Sequence, residues 1–213
     1  MKSPNDNHAA KSERTLITSL LFSAPGPFIT LFAALNSLLA TQIADFLRRT
    51  AELAASFVSW LVFRKLRRSD SPDKGYTLRL ERIADRTVAC AMICSGAVLC
   101  AVGMLRLFSD MQARTSVLGL VTAALGLVAD TIFWIRYARL TKERYSSVLA
   151  AQRRLYRTKA SVDLCVTVAL AAALIAPAHP ITKYIDALGS IAVAAYLLAS
   201  GISGLRNMMQ NRA

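Results

Sequence analysis

The stretch TQIADFLRRTAELAASFVSWLVFR, residues 41–64, decides the fold. It is mostly apolar, and as a helix it would rise ~36 Å, enough to cross a hydrocarbon layer of ~30 Å. Yet Asp45, Arg48, Arg49 and Glu52 lie inside it. At ~100° per residue these four positions fall within roughly one third of the helix circumference. Ionisable groups at that depth are costly unless they face protein or water, so a charged face there reads first as functional. The plainer reading is electrostatic glue between helices.

Working outward from this stretch, no charged residue occurs from Thr15 to Ala44. A helix over that run would measure ~45 Å, more than one bilayer core. The run therefore divides into a span over about 15–37, a turn near Asn36 to Thr41, and the start of a second span over 41–63. Pro25-Gly26-Pro27 should kink the first span, because proline removes a backbone donor and clashes with the preceding turn. Residues 1–14 are polar and are expected to form a disordered cytoplasmic tail.

Past Arg64 the same logic gives four more spans, over about 82–107, 116–137, 146–176 and 181–205. The whole forms a transmembrane domain over 15–208. Eight Lys/Arg lie between Arg64 and Arg86 and eight between Arg136 and Lys159, whereas the intervening loops hold only Arg106 and Arg114, and Lys183. The positive-inside rule then puts both termini in the cytoplasm. The expected fold is an all-α membrane protein of six transmembrane helices, multi-pass in the cell (inner) membrane.

Composition agrees with this reading and narrows the function. The chain is 54% hydrophobic with a mean hydropathy of +0.40, too apolar for an ordinary soluble domain. Its formal charge of +13 is spread in brackets around apolar runs, which argues for lipid headgroups and topology and against nucleic acid. No nucleophile–base pair, Gly-rich phosphate loop or His cluster suggests an enzyme, and no cofactor is expected. Cys90, Cys94, Cys100 and Cys165 sit in apolar segments and are expected to be buried packing residues.

A second charged face lies in the fifth span. Lys159 and Asp163 are one turn apart, with Gln152 and Tyr156 extending their face. Arg48 with Glu52, and Lys159 with Asp163, are i,i+4 pairs of opposite sign. Together with Asp45 and Arg49 the charges cancel, so the second and fifth spans should face each other. Asp130, in the fourth span, reads as a boundary carboxylate satisfied by Arg136. A metal cage is hard to build: the two histidines, His8 and His179, fall in the tail and in a turn. Glu52 and Asp163 are left as the only candidate ligands.

Several stretches together resemble the transmembrane part of the cation diffusion facilitator family. ADFLRRTAELAAS (44–56) is similar to that family's second-span motif, and GYTLRLERIA (75–84) to its loop entering the third span, with Arg79 and Glu81 retained. SSVLAAQRRLYRTKASVDL (146–164) resembles the opening of the fifth span. YIDALGSIAVAAYLLASGI (184–202) resembles the sixth, with Asp186 at its entrance. The resemblance implies an antiporter, a homodimer that exports divalent metal ions in exchange for protons. It also implies a metal-binding motif at which this chain departs. Arg48 and Leu155 fall where the family has His or Asp, Glu52 falls on an Asp, and Lys159 falls on the last Asp. A shifted alignment would instead put Lys159 and Asp163 on the fifth-span pair. Nothing after residue 208 corresponds to the family's cytoplasmic C-terminal domain. The expectation is therefore a cation transporter of this type, with weak or no divalent-metal binding at the usual place. The alternative is a non-transporting relative, a scaffold or accessory subunit whose metal site has become a salt-bridge network.

Overall fold

A computed structural model describes residues 4–37, 40–68, 74–108, 117–175 and 180–210, and the regular structure among them is helical. The elements are α1 (Pro4–Ser23), α2 (Pro25–Ser37), α3 (Ala40–Arg68), α4 (Lys74–Phe108), α5 (Val117–Glu143), α6 (Ser147–Ile175) and α7 (Pro180–Gln210). α1 and α2 together make the first expected span, broken where the prolines predict. Pro25 sits at the first position of α2, where its missing N–H costs nothing. The Ala24 amide still donates to the Leu20 carbonyl at 2.9 Å, which keeps the break tight.

The main difference from expectation is at the start. Residues 4–14, expected to be a disordered tail, continue α1. Tertiary contacts hold them there: Glu13 pairs with Arg67 of α3, and Lys11 Nζ lies 3.2 Å from Glu143 Oε1 at the end of α5. His8 Nε2 is 3.4 Å from the other oxygen of Glu143. Polarity in the sequence was a poor guide here because the segment's charges find partners on neighbouring helices.

The remaining helices follow the expected spans but overrun them on the basic side, α4 beginning at Lys74 and α5 ending at Glu143. Two described stretches, His8–Phe32 and Lys74–Leu105, are long and apolar enough to cross a membrane on composition alone, with a shorter apolar stretch over Ile191–Arg206. In α3 and α6, charged residues interrupt the apolar runs.

Two seams organise the bundle. α4 packs against α7 through glycines. A Cβ placed on Gly201 would lie 2.7 Å from Ile93 Cγ1 and 3.0 Å from the Ala89 carbonyl, and one on Gly96 would lie 3.1 Å from the Ala194 carbonyl. Such small residues let backbones approach closely in a setting where lipid removes the hydrophobic drive between helices. The second seam joins α3 to α6 in antiparallel register: Glu52 meets Lys159, Ala55 and Leu155 share one apolar cluster, and Val62 and Val148 share another.

Large apolar side chains such as Phe28, Ile29, Phe32 and Leu35 of α2 point outward. Cys90 and Cys94 are also exposed, and Cys100 and Cys165 are half-buried. This corrects the expectation of four buried cysteines. Cys90 and Cys94 lie on the side of α4 away from Ala89 and Met92, which face the core; an apolar surround accepts a thiol on either side.

Candidate functional site

The buried charges of α3 and α6 form one connected group. Glu52 Oε2 lies 3.4 Å from Lys159 Nζ, and Glu52 Oε1 lies 3.9 Å from Arg48 Nη1. Ser95 Oγ of α4 donates to Glu52 Oε1 at 3.3 Å. Glu52, Arg48 and Lys159 are 6%, 8% and 9% exposed. Both carboxylate oxygens therefore face cations, the arrangement that brings a buried ion set near break-even. Lys159 Nζ also sits 5.0 Å from the centre of the Tyr156 ring, so the ring's negative face shares in holding the ammonium.

One turn beyond Lys159 on α6, Asp163 turns toward α5. A Cβ on Gly126 would stand 3.0 Å from Asp163 Oδ2, so the absent side chain is what admits the carboxyl. Asp130 lies one turn along α5 from Gly126 and faces Asp163 across the α5–α6 contact. Arg48, Glu52 and Lys159 are electrostatic neighbours of both aspartates. Glu52, Asp130 and Asp163 thus stand in one group with the cations Arg48 and Lys159.

The expectation for Asp130 is thus corrected. Arg136 is exposed, whereas Asp130 turns into the bundle beside Asp163. Gly126 four residues before it was the available signal: a residue without a side chain, one turn from a carboxylate, makes room for a group on the facing helix.

The other expected residues fall as follows. Leu155, at a family ligand position, is a core residue that packs with Ala55, Val88 and Met92. Arg49 is exposed, and its side chain lies along Gly26 of α2. Arg79 is exposed and Glu81 half-buried, in the basic-side extension of α4 and ~20 Å along the axis from Ser95. Asp45 lies in α3 and Asp186 in α7, and their side chains fall outside the described residues. Among the described residues no group of three or more His, Cys, Asp or Glu is arranged to hold a metal ion.

Toward the basic side, Ser59 and Gln152 lie seven residues from Glu52 and Lys159 respectively. Seven residues is nearly two full turns, so each keeps its helix face, and the antiparallel register sets them opposite one another. The Ser59 hydroxyl and both amide atoms of Gln152 are buried without a hydrogen-bond partner. Each such group costs about 1–3 kcal/mol. Beside them runs a hydroxyl chain that joins Tyr156 to α1 and α5. Ser19 Oγ and Tyr137 Oη are 2.6 Å apart, and Tyr156 Oη donates to the Ser19 carbonyl at 3.2 Å. The Tyr137 and Tyr156 rings stack with centroids 5.4 Å apart.

The bundle thus carries a polar file through an otherwise apolar interior, with its charge concentrated between α3, α5 and α6. The sequence matches the family described as the cation efflux transmembrane domain over residues 16–211, nearly its full length. No curated protein matches it. With that match covering the charged centre and all of the bundle but the start of α1, the chain belongs to the cation efflux family, as an integral membrane domain of these cation transporters.

Proposed function

We propose that the chain exports divalent cations in exchange for protons, with its exchange centre at Asp130 and Asp163 and not at the positions of the family motif. The meeting of Asp130 and Asp163, with Gly126 making room for the Asp163 carboxyl, carries this reading. At these two carboxyls an arriving cation would compete with protons. Glu52 serves instead as the fixed counter-charge of Arg48 and Lys159. Because those two cations stay close to the aspartates, divalent ions should bind weakly, which suits release more than storage. Ser59 and Gln152 provide polar groups along the route from the basic side. The basic segments 64–86 and 136–159 orient that side, and both termini, to the cytoplasm of the cell (inner) membrane. A homodimer follows from the family resemblance.

Flux in proteoliposomes tests this. With Zn²⁺, Mn²⁺, Fe²⁺, Co²⁺ and monovalent ions supplied under a pH gradient, the native chain should move at least one divalent ion faster than empty liposomes. Asp163→Asn should abolish that movement and the accompanying proton flux. A second reading, a non-transporting scaffold, draws on one observation: both Glu52 oxygens are already engaged. Flux no greater than in empty liposomes for every ion supports the scaffold.

A further inference from the structure

Between the basic ends of α3 and α4 lies a groove of about 560 Å³. Val58, Leu61, Val62 and Leu80 form its wall, and Arg64, Lys65 and Arg68 stand along it. The neighbouring Arg67 is paired with Glu13. Among the described residues no carboxylate pairs with Arg64, Lys65 or Arg68. Two of these cations lie instead against aromatic faces. The Arg64 guanidinium is 5.2 Å from the Trp60 ring centre, and Lys65 Nζ is 6.0 Å from that of Tyr76. Aromatic rings beside basic residues, just where an apolar span ends, mark the level of lipid headgroups.

We propose that this groove is a binding site for an anionic phospholipid, with an acyl chain along Val58, Leu61, Val62 and Leu80 and the phosphate held by Arg64, Lys65 and Arg68. Charge selects the occupant. A zwitterionic lipid would bring its own ammonium group to three unneutralised cations, whereas a headgroup with net negative charge brings only the complement. An acidic protein segment would satisfy the cations but leave the apolar wall to an acyl chain of any lipid. The site lies on α3, the helix that carries Arg48 and Glu52. A lipid wedged here braces the base of that helix against α4. The proposal does not depend on which ion the chain moves, or on whether it moves one.

Native mass spectrometry of the full chain released from detergent tests it, using phosphatidylglycerol and phosphatidylcholine with identical acyl chains. Phosphatidylglycerol should bind about tenfold more tightly, since each basic residue near an anionic headgroup adds a small favourable increment. The triple substitution Arg64→Gln, Lys65→Gln, Arg68→Gln should erase that preference. Leu61→Trp, which retains every charge and fills the groove, should weaken phosphatidylglycerol binding severalfold; it also serves if the triple variant does not fold. Lys142→Gln with Arg144→Gln, which alters exposed basic residues away from the groove, should leave the preference intact. Equal binding of the two lipids by the native chain would overturn the proposal. So would an equal loss in the Lys142/Arg144 variant, or phosphatidylglycerol binding unchanged by Leu61→Trp.

Discussion

The α4–α7 seam and the α3–α5–α6 seam solve the same problem in opposite ways. The first brings backbones together at Gly96 and Gly201, with no charge in the contact. The second holds its helices through the charged side chains of Glu52, Lys159 and Arg48, with Asp130 and Asp163 beside them. Inside a bilayer, close packing of small residues is a dependable source of association. Buried ion sets at best offset their own desolvation. The packed seam is therefore the frame. On the proposed function, the charged seam is the part that would rearrange when a proton or a cation changes its balance.

Substitutions can break or sharpen this contrast. The largest effect is expected from Glu52→Ala, which strands Arg48 and Lys159 without their carboxylate and should cost about 3–5 kcal/mol. Thermal unfolding in detergent measures it, and a loss below about 1 kcal/mol would show that the cations find other partners. Gly201→Leu comes next. Overpacking of this kind typically costs about 1–3 kcal/mol, and here the added side chain meets the Ala89 carbonyl as well as Ile93. It should lower stability while leaving the flux per folded molecule unchanged; a selective loss of flux would mean the frame itself moves during transport.

Gly126→Ala tests the charged seam more gently. Its methyl group would crowd Asp163 Oδ2, so the carboxyl must shift by a few tenths of an ångström. Flux should fall severalfold with stability changed by less than about 1 kcal/mol. Equal flux in the variant would place the exchange centre elsewhere. The smallest effect is expected from Gln152→Leu. Replacing a buried amide that has no partner should be neutral or stabilising by roughly 1 kcal/mol, yet it should slow entry from the basic side. A destabilised variant would reveal a hydrogen bond to Gln152.

Much of this architecture was legible in the residues. The charge-free run from Thr15 to Ala44, the prolines at 25 and 27 and the basic brackets mark out the helices, because bilayer thickness and backbone chemistry leave few alternatives. The meeting of α3 with α6 was legible too, since opposite charges at matching depth in two spans need each other. Asp130 was harder to place. Counting from a helix end gives depth but not the direction a side chain faces, and Arg136 looked an adequate partner. The ordering of residues 4–14 was not visible either, since it depends on Arg67 and Glu143, which lie far along the chain. Nor could the outward turn of Cys90 and Cys94 be read, because a small apolar side chain suits lipid and core alike.

The continuation of α1 to Pro4 has a mechanical consequence. That helix fastens to α3 through Glu13 and Arg67, and to α5 through Lys11 with Glu143 and Ser19 with Tyr137. All of these links lie on the basic side of the break at Ala24. α1 is thus a clasp across one mouth of the charged cleft, while beyond Ala24 the rod continues as α2, packed on α3. Parting α3 from α5 at the basic mouth must undo either the Glu13–Arg67 latch or the Lys11–Glu143 latch with the Ser19–Tyr137 contact. Parting them at the far mouth leaves those latches closed. The clasp stiffens the basic end of the bundle against opening.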